Sequence, residues 1–507
     1  MSLKGSLKRI TFWAGPFTGL LILLLFDLDP ERPETTATLA VAMWMAIWWI
    51  SEVVPLAVTA LLPVALFPIL GIMDGKMVSA TYFNHVIFLF IGGFLVALAM
   101  QKWNLHKRIA LRILMFTGTR PARILLGFML ATAFLSMWIS NTATTMMMVP
   151  ILISVISQLE EQNQNLPGKR NSYSTGLLLG VAYSASIGGM MTLVGTPPNL
   201  SFTRIFQIMF PEAPEISFAD WMVFALPAGI ILFLFAWLFL YAKYGRGMAD
   251  HQLDKELLSR QYRKLGKPGY EEKVILLVFI SLAVLWISRA DIQLGAFRIP
   301  GWQNLFRFPE YLNDGTVAIA LSIILFAIPS KQGKGIRLLD WKTAARLPWG
   351  IVLLFGGGFA LASGFKESGL STWFGEQLSF ITFMHPVFII ALVALLMTFL
   401  TELTSNTATT EMILPVLAGL SVATQIHPLL FMLPATMSAS MAFMLPVATP
   451  PNAIIFGTNK LKIFDMVKTG LIMNLTGTLV ITFSVYFVAR WVFGIDLDIF
   501  PEWAMTK

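Results

Sequence analysis

At 507 residues the chain is 56% hydrophobic and only 13% charged, against roughly 25% charged residues in a soluble globular domain, so most of it must be solvated by lipid and no room is left for a large soluble domain. The formal net charge of +8 could suggest nucleic acid, but in so apolar a chain the basic residues record the positive-inside rule, and nucleic acid is set aside as a partner. The absence of cysteine excludes disulfides and thiolate metal sites, and His85, His106, His251, His385 and His427 show none of the paired spacings of haem or zinc ligands.

The first apolar run, 12–26, follows Lys4, Lys8 and Arg9 as the core of a signal peptide would, yet no small-residue cleavage site comes after it, and it is read as a retained first helix. Crossings are expected at 11–27, 37–50, 53–70 and 86–101. The segment 104–117 places Leu105, Ile109, Ile113 and Phe116 at helical spacing opposite His106, Lys107 and Arg112, as in an amphipathic helix lying along the membrane. Next, 122–158 is expected to be a hairpin that returns to its starting side, followed by crossings at 174–203 and 221–242. After a linker come crossings at 274–288, 315–329 and 348–364, a second hairpin at 387–424, and crossings at 429–458 and 470–489. The predicted fold is therefore an all-α polytopic membrane protein of about 11 transmembrane helices plus two re-entrant hairpins.

With the N-terminus cytoplasmic and the C-terminus outside, 27 of the 36 Lys and Arg residues fall on the inner side of what is expected to be the cell's inner (plasma) membrane. One extra crossing in either hairpin would scramble that asymmetry. The expected organisation is an N-terminal helix and loop (1–36), a first repeat (37–243), a cytoplasmic linker (244–273), a second repeat (274–490) and a C-terminal tail (491–507).

The repeat rests on three shared motifs. Ser-Asn-Thr-Ala-Thr-Thr occurs at 140–145 and 405–410, and each copy is followed by Thr-Pro-Pro-Asn, at 196–199 and 449–452. Phe-Ile-Gly-Gly-Phe at 90–94 and Phe-Gly-Gly-Gly-Phe at 355–359 each end 46 residues before the hexapeptide. The longer interval between motifs in the first copy is assigned to a loop insertion at the polar stretch 160–171. An odd number of crossings per copy makes the repeats inverted, and inverted repeats with interrupted helices place a binding site near the midplane.

Ser140-Asn141-Thr142 and Ser405-Asn406-Thr407 each sit between apolar arms too short to span ~30 Å at ~1.5 Å per residue, so each polar tip is expected to end inside the membrane. Pro197-Pro198 and Pro450-Pro451 must break their helices, leaving free carbonyls suited to a cation and a positive helix end suited to an anion. No Lys, Arg or His occurs in 124–156, 173–203, 387–426 or 429–459. An anion bound there needs another source of positive charge, and hydroxyl, carboxamide and carbonyl oxygens suit an alkali cation, so sodium coupling is inferred. Glu402 and Glu411 flank the second tip where the first has Met137 and Met146; they are open to a proton, a cation or plain burial as a hydrogen-bonded acid. The glycine motifs are read as sites of close helix packing.

These paired motifs, spread over nearly the whole chain, resemble those of the divalent anion/sodium symporter family of dicarboxylate, citrate and sulfate carriers. The resemblance implies a homodimer in which a transport domain of hairpins and broken helices moves against a scaffold as an elevator. It implies one sodium site at Ser136, Ser140, Asn141 and Gly195, and a second at Thr401, Thr404, Asn406 and Ala448, the last through its backbone. The substrate, a small dianion such as a C4-dicarboxylate, would meet Asn141, Thr142 and Thr196 from one repeat and Asn406, Thr407 and Thr449 from the other. No cofactor is implied beyond sodium as the coupling ion. A sodium-independent dicarboxylate exchanger and a citrate or sulfate carrier share the same motifs. An enzyme is not expected, because neither a His-Glu-x-x-His motif nor a pair of catalytic aspartates is present.

Overall fold

The computed structural model describes residues 3–162, 167–245, 255–294, 297–378, 384–497 and 499–505. It is helical apart from a two-stranded antiparallel hairpin, β1 (Ile292–Leu294) and β2 (Phe297–Ile299). Opening the chain, α1 (Leu3–Leu25) packs on α2 (Pro33–Ser51), where the Trp48 indole donates to the Phe12 carbonyl at 3.0 Å. The crossing expected at 53–70 is itself interrupted, into α3 (Leu56–Thr59) and α4 (Leu62–Ile69), with Pro63 starting the second piece. α5 (Gly75–Thr81) and α6 (His85–Lys102) follow, each started by an Asp74 or Asn84 side chain that accepts from two amides of its first turn.

α7 (Leu105–Thr117) is amphipathic, but its buried stripe is Leu105, Arg108, Leu111 and Leu114, whereas Phe116 is 91% exposed and His106 is buried. The reason is long-range. Arg108 pairs with Glu272 at 2.5 Å and donates to the carbonyls of Leu265 and Gly266, so its charge is drawn into the protein.

The first hairpin is α8 (Pro121–Ser136) and α9 (Asn141–Gln162), and the broken helix beside it is α10 (Pro167–Met190) and α11 (Pro197–Met209). Within the polar stretch expected as a loop insertion, 160–162 prolong α9 and 167–171 open α10, while 163–166 lie outside the described residues. α12 (Phe218–Leu240) ends the first half, then α13 (Lys255–Lys264), α14 (Tyr270–Ile287), α15 (Asp314–Ala327), α16 (Trp341–Ala344), α17 (Trp349–Glu367) and α18 (Leu370–Gln377) lead to the second hairpin, α19 (Pro386–Leu400) and α20 (Asn406–Thr424). The second broken helix is α21 (Leu429–Ser438) and α22 (Pro450–Phe456), followed by α23 (Ile463–Phe483) and α24 (Arg490–Phe493). Among the described residues seven helices are long and apolar enough to cross a membrane, α9 and α20 among them. The shorter apolar helices are the broken pieces α3–α4 and α21, the hairpin arms α8 and α19, and α15. Contrary to the expectation of arms too short to span, α9 and α20 are longer than the apolar runs 146–156 and 412–423, because each helix also takes in the Asn-Thr-Ala-Thr-Thr of its tip.

Both glycine motifs sit where helices touch. A Cβ at Gly92 would overlap Ala318 on α15, and one at Gly357 would overlap Ala60 between α3 and α4. Phe90 and Phe355, counterparts in the two sequence repeats, meet edge to face at 5.2 Å.

A buried ion pair fastens the loop ahead of α15. Arg289, 1% exposed, reaches Asp314 at 2.5 Å, Glu215 at 2.9 Å, Gln303 at 2.8 Å and the Leu312 carbonyl at 3.0 Å. Removing Asp314 leaves the buried guanidinium with only the partly exposed Glu215 as a carboxylate partner, so Asp314→Ala should destabilise the protein by about 3 kcal/mol, read as a large fall in the thermal midpoint in detergent. Glu256→Ala, which removes the exposed pairs with Arg260 and Arg263 on α13, should cost about 1 kcal/mol or less.

Candidate functional site

The two hairpin tips are built alike. Ser136 ends α8, Asn141 opens α9, and the Ser136 hydroxyl donates to Asn141 Oδ1 at 2.6 Å. In the second repeat the Thr401 hydroxyl donates to Asn406 Oδ1, also at 2.6 Å, while it lies 2.9 Å from the Ala439 carbonyl. Ser140 closes the first tip as a helix cap, its Oγ accepting from the Ala143 amide at 3.3 Å. Both tips are half-buried, and each long outer arm points its N-terminus into its tip. The first amides of α9 and α20 have no intrahelical acceptor and carry the positive end of the helix dipole.

Each helix break is filled by the asparagine of its own Thr-Pro-Pro-Asn. The Asn199 carboxamide donates to the carbonyls of Thr192 at 2.7 Å and of Gly189 and Met190 at 3.4 Å. Asn452 donates to the carbonyls of Ala442 and Leu445, both at 3.0 Å, and counted back from the shared motif these are the positions of Gly189 and Thr192. Prolines at the first two positions of α11 and α22 remove two amides from each helix start. The amide-rich ends therefore lie at the hairpin tips, and the Thr-Pro-Pro ends contribute chiefly hydroxyls and dipole. At the second of these the Thr449 hydroxyl is occupied as a cap for the Asn452 amide at 3.3 Å, while Thr196 makes no such bond.

The repeats interlock. α22 packs on α9 and α10, and α11 packs on α20 and α21, so each broken helix leans on the other repeat's hairpin or broken helix. Tyr183 of α10 donates to the Phe443 carbonyl at 3.0 Å. The elements carrying all four motifs are thereby gathered into one body.

Ser136 and Asn141 are in direct contact, and Gly189, which sequence reasoning missed, lies so close that a Cβ there would overlap Asn141 Oδ1. A Cβ at Gly195 would in turn overlap the Gly189 carbonyl, which places Gly195 in the same cluster. Thr401 and Asn406 likewise touch. The Thr404 hydroxyl turns back to the Leu400 carbonyl at 2.8 Å and to Thr409, leaving its own carbonyl as the group able to serve the tip. Ala448 is buried in the second break, and the neighbouring Val447 is 83% exposed. Thr196, Thr407 and Thr449 are buried, and Thr142 is half-buried at the first tip.

Glu402 is a structural brace whose carboxylate accepts from the amides of Met444 at 2.8 Å and Leu445 at 3.0 Å, and from Asn474 at 2.7 Å. In the first repeat the same two positions are joined the other way round, the Thr192 hydroxyl donating to the Met137 carbonyl. Glu411, fully buried, receives Ser201 of α11 at 2.9 Å and lies flat against Gly358.

Residues 18–495 match the family described as "Sodium:sulfate symporter transmembrane region". The chain is 45% identical over 487 residues to a protein of Staphylococcus saprophyticus named "Sodium-dependent dicarboxylate transporter SdcS", covering 95% of this chain and 92% of the relative. It is 44% identical over 489 residues to the protein of that name in Staphylococcus aureus, covering 96% and 92%. Its fold is similar to that of the Alcanivorax borkumensis YdaH transporter (TM-score 0.53, 12% identity, 82% of this chain and 86% of that one) and of Neisseria gonorrhoeae MtrF (TM-score 0.54, 15% identity, 84% and 86%).

The contact of Gly189 with Asn141 leaves no room for a methyl group, so Gly189→Ala should destabilise the protein by about 1–3 kcal/mol. Gly75→Ala, whose added carbon would come no nearer than 3.7 Å to a neighbour, serves as the control and should leave the thermal midpoint unchanged or slightly raised.

Proposed function

The chain belongs to the sodium:sulfate symporter family, and from that premise we propose that it couples sodium entry to the uptake of a small dianion, a C4-dicarboxylate such as succinate, malate or fumarate. It is a multi-pass membrane transporter and not an enzyme. The observation that carries the proposal is the paired tip, in which a hydroxyl meets an asparagine oxygen at 2.6 Å in each repeat while the motif segments hold no fixed positive charge. The relatives' name for a sodium-dependent dicarboxylate transporter supports the same choice of ion and substrate.

In this reading one sodium ion is held by Ser136, Ser140, Asn141 and Gly195, and a second by Thr401, Thr404, Asn406 and Ala448, with Thr404 and Ala448 acting through backbone carbonyls. The two substrate carboxylates face the N-termini of α9 and α20 and meet Asn141, Thr142 and Thr196 on one side and Asn406, Thr407 and Thr449 on the other. Helix ends supply partial charge only, so a dianion in this low-dielectric setting is bound when sodium completes the neutralisation. That dependence is the coupling. The contact of Phe90 with its counterpart Phe355, and the exchange of packing partners between the repeats, support an inverted two-fold arrangement. We assign the N-terminus to the cytoplasm and the C-terminus to the outside from the distribution of Lys and Arg. The hairpins and broken helices are the moving body of an elevator, and the chain works as a homodimer in the inner (plasma) membrane.

Purified protein in liposomes should take up radiolabelled succinate when an inward sodium gradient is imposed, with potassium or choline unable to replace sodium. Asn141→Ala and Asn406→Ala should each lower that uptake at least about tenfold while eluting from a sizing column as the wild type does, since each removes an ion ligand and a helix-end donor. Wild-type uptake in both variants would overturn the site. Uptake that ignores sodium but needs preloaded dicarboxylate would make the protein an exchanger.

A further inference from the structure

Beside the outer arm of the first hairpin the structure holds a cavity of about 580 Å³. One wall is the turn of α9 just past the tip, at Ala143 and Thr144; the opposite wall is α6, α7 and α13, which contribute Gln101, Lys107, Gln261 and Lys264. Those opposing residues fall on segments that the charge distribution places in the cytoplasm. The cavity therefore runs from the cytoplasmic side toward Ser140-Asn141-Thr142, and no Asp or Glu lines it. Lys107 and Lys264 are exposed, and neither forms an ion pair among the described residues. His106, also in the wall, adds no charge near neutral pH, since burial lowers its pKa to about 4 even as its Nδ1 lies 3.0 Å from the Met100 carbonyl.

We propose that this cavity is a second, transient binding station for the dicarboxylate, in which Lys107 and Lys264 take over its negative charge as it leaves the first tip for the cytoplasm. The inference rests on the transport reading above and extends it to the release step. At the tips the anion is compensated by sodium, because no Lys, Arg or His lies in the motif segments. When sodium departs into the sodium-poor cytoplasm, that compensation is lost, and the anion is expelled toward fixed positive charge. The lysines lining this cavity are where it goes. A cleft with charge of one sign and low-dielectric walls concentrates an opposite ion about tenfold or more. Its volume exceeds that of a four-carbon dianion several times over, as suits a vestibule that releases its occupant rather than a pocket that retains it.

The test uses right-side-out and inside-out membrane vesicles from the same cells, in which succinate meets the outer and the cytoplasmic face respectively. The double variant Lys107→Gln/Lys264→Gln should raise the half-saturating succinate concentration roughly tenfold in inside-out vesicles and leave it unchanged in right-side-out vesicles. Lys107→Arg/Lys264→Arg should behave as the wild type, which separates charge from a structural role. Because the protein has no cysteine, Met146→Cys on the cavity wall, 61% exposed, gives a second readout: a membrane-impermeant maleimide should label it in inside-out vesicles. Unchanged half-saturation in inside-out vesicles, an equal rise in both preparations, or labelling from the outer face alone would overturn the vestibule while leaving sodium-coupled uptake standing. Absence of sodium-dependent succinate transport by the wild type in either preparation would overturn the transport reading and the vestibule with it.

Discussion

A helix interrupted inside a membrane survives only if the carbonyls it frees find donors, since each unsatisfied group in hydrocarbon costs several kcal/mol. Here one residue per repeat meets that demand. Asn199 and Asn452 each sit at the start of a new half-helix and send a carboxamide back into the end of the preceding one. The two prolines before each asparagine end the incoming helix and set the outgoing one at a fixed φ. The carboxamide thus ties the two half-helices together across each break, and a hairpin tip can be built against it with ångström tolerance. Gly189 and Gly195 mark how tight that tolerance is, because a single added carbon at either would displace the atoms that surround Asn141.

The second constraint joins each break to its hairpin, and the repeats solve it with opposite chemistry at the same pair of positions. In the first, a side-chain hydroxyl on the break (Thr192) reaches a hairpin carbonyl (Met137). In the second, a hairpin carboxylate (Glu402) reaches break amides (Met444 and Leu445). This accounts for Glu402 having no acidic counterpart in the first repeat. It also gives the halves different stiffness, since a carboxylate with three donors is held more firmly than a single hydroxyl. Glu411 adds a cross-link of another kind, tying the second hairpin to the first repeat's broken helix through Ser201.

How much of this was legible in the sequence follows from which contacts are local. The tips, the breaks and their pairing were readable, because a repeated polar hexapeptide between apolar arms and a repeated Pro-Pro each dictate local backbone. The burial of Arg108 on α7 is not legible locally, because its partner Glu272 is 164 positions away. The crossing at 53–70 reads as continuous from its apolar composition although Pro63 splits it, since prolines spaced apart, as Pro55, Pro63 and Pro68 are, give a weaker signal than an adjacent Pro-Pro. The role of Gly189 could have been suspected from the small-residue run Ser186, Gly188 and Gly189 at the end of α10, but its partner Asn141 lies across the hairpin. In the polar stretch 160–171, residues 160–162 continue α9 and 167–171 open α10, because polarity alone does not end a helix.

In the proposed mechanism the dianion is bound because sodium completes a site whose motif segments carry no positive charge of their own. Equilibrium binding of radiolabelled succinate to the purified protein, at fixed ionic strength with sodium exchanged for potassium, tests it without any need for transport. No saturable binding is expected in potassium, and binding in sodium should rise more steeply than first order, as filling of both tips requires. Saturable succinate binding of equal affinity in sodium and potassium would contradict it.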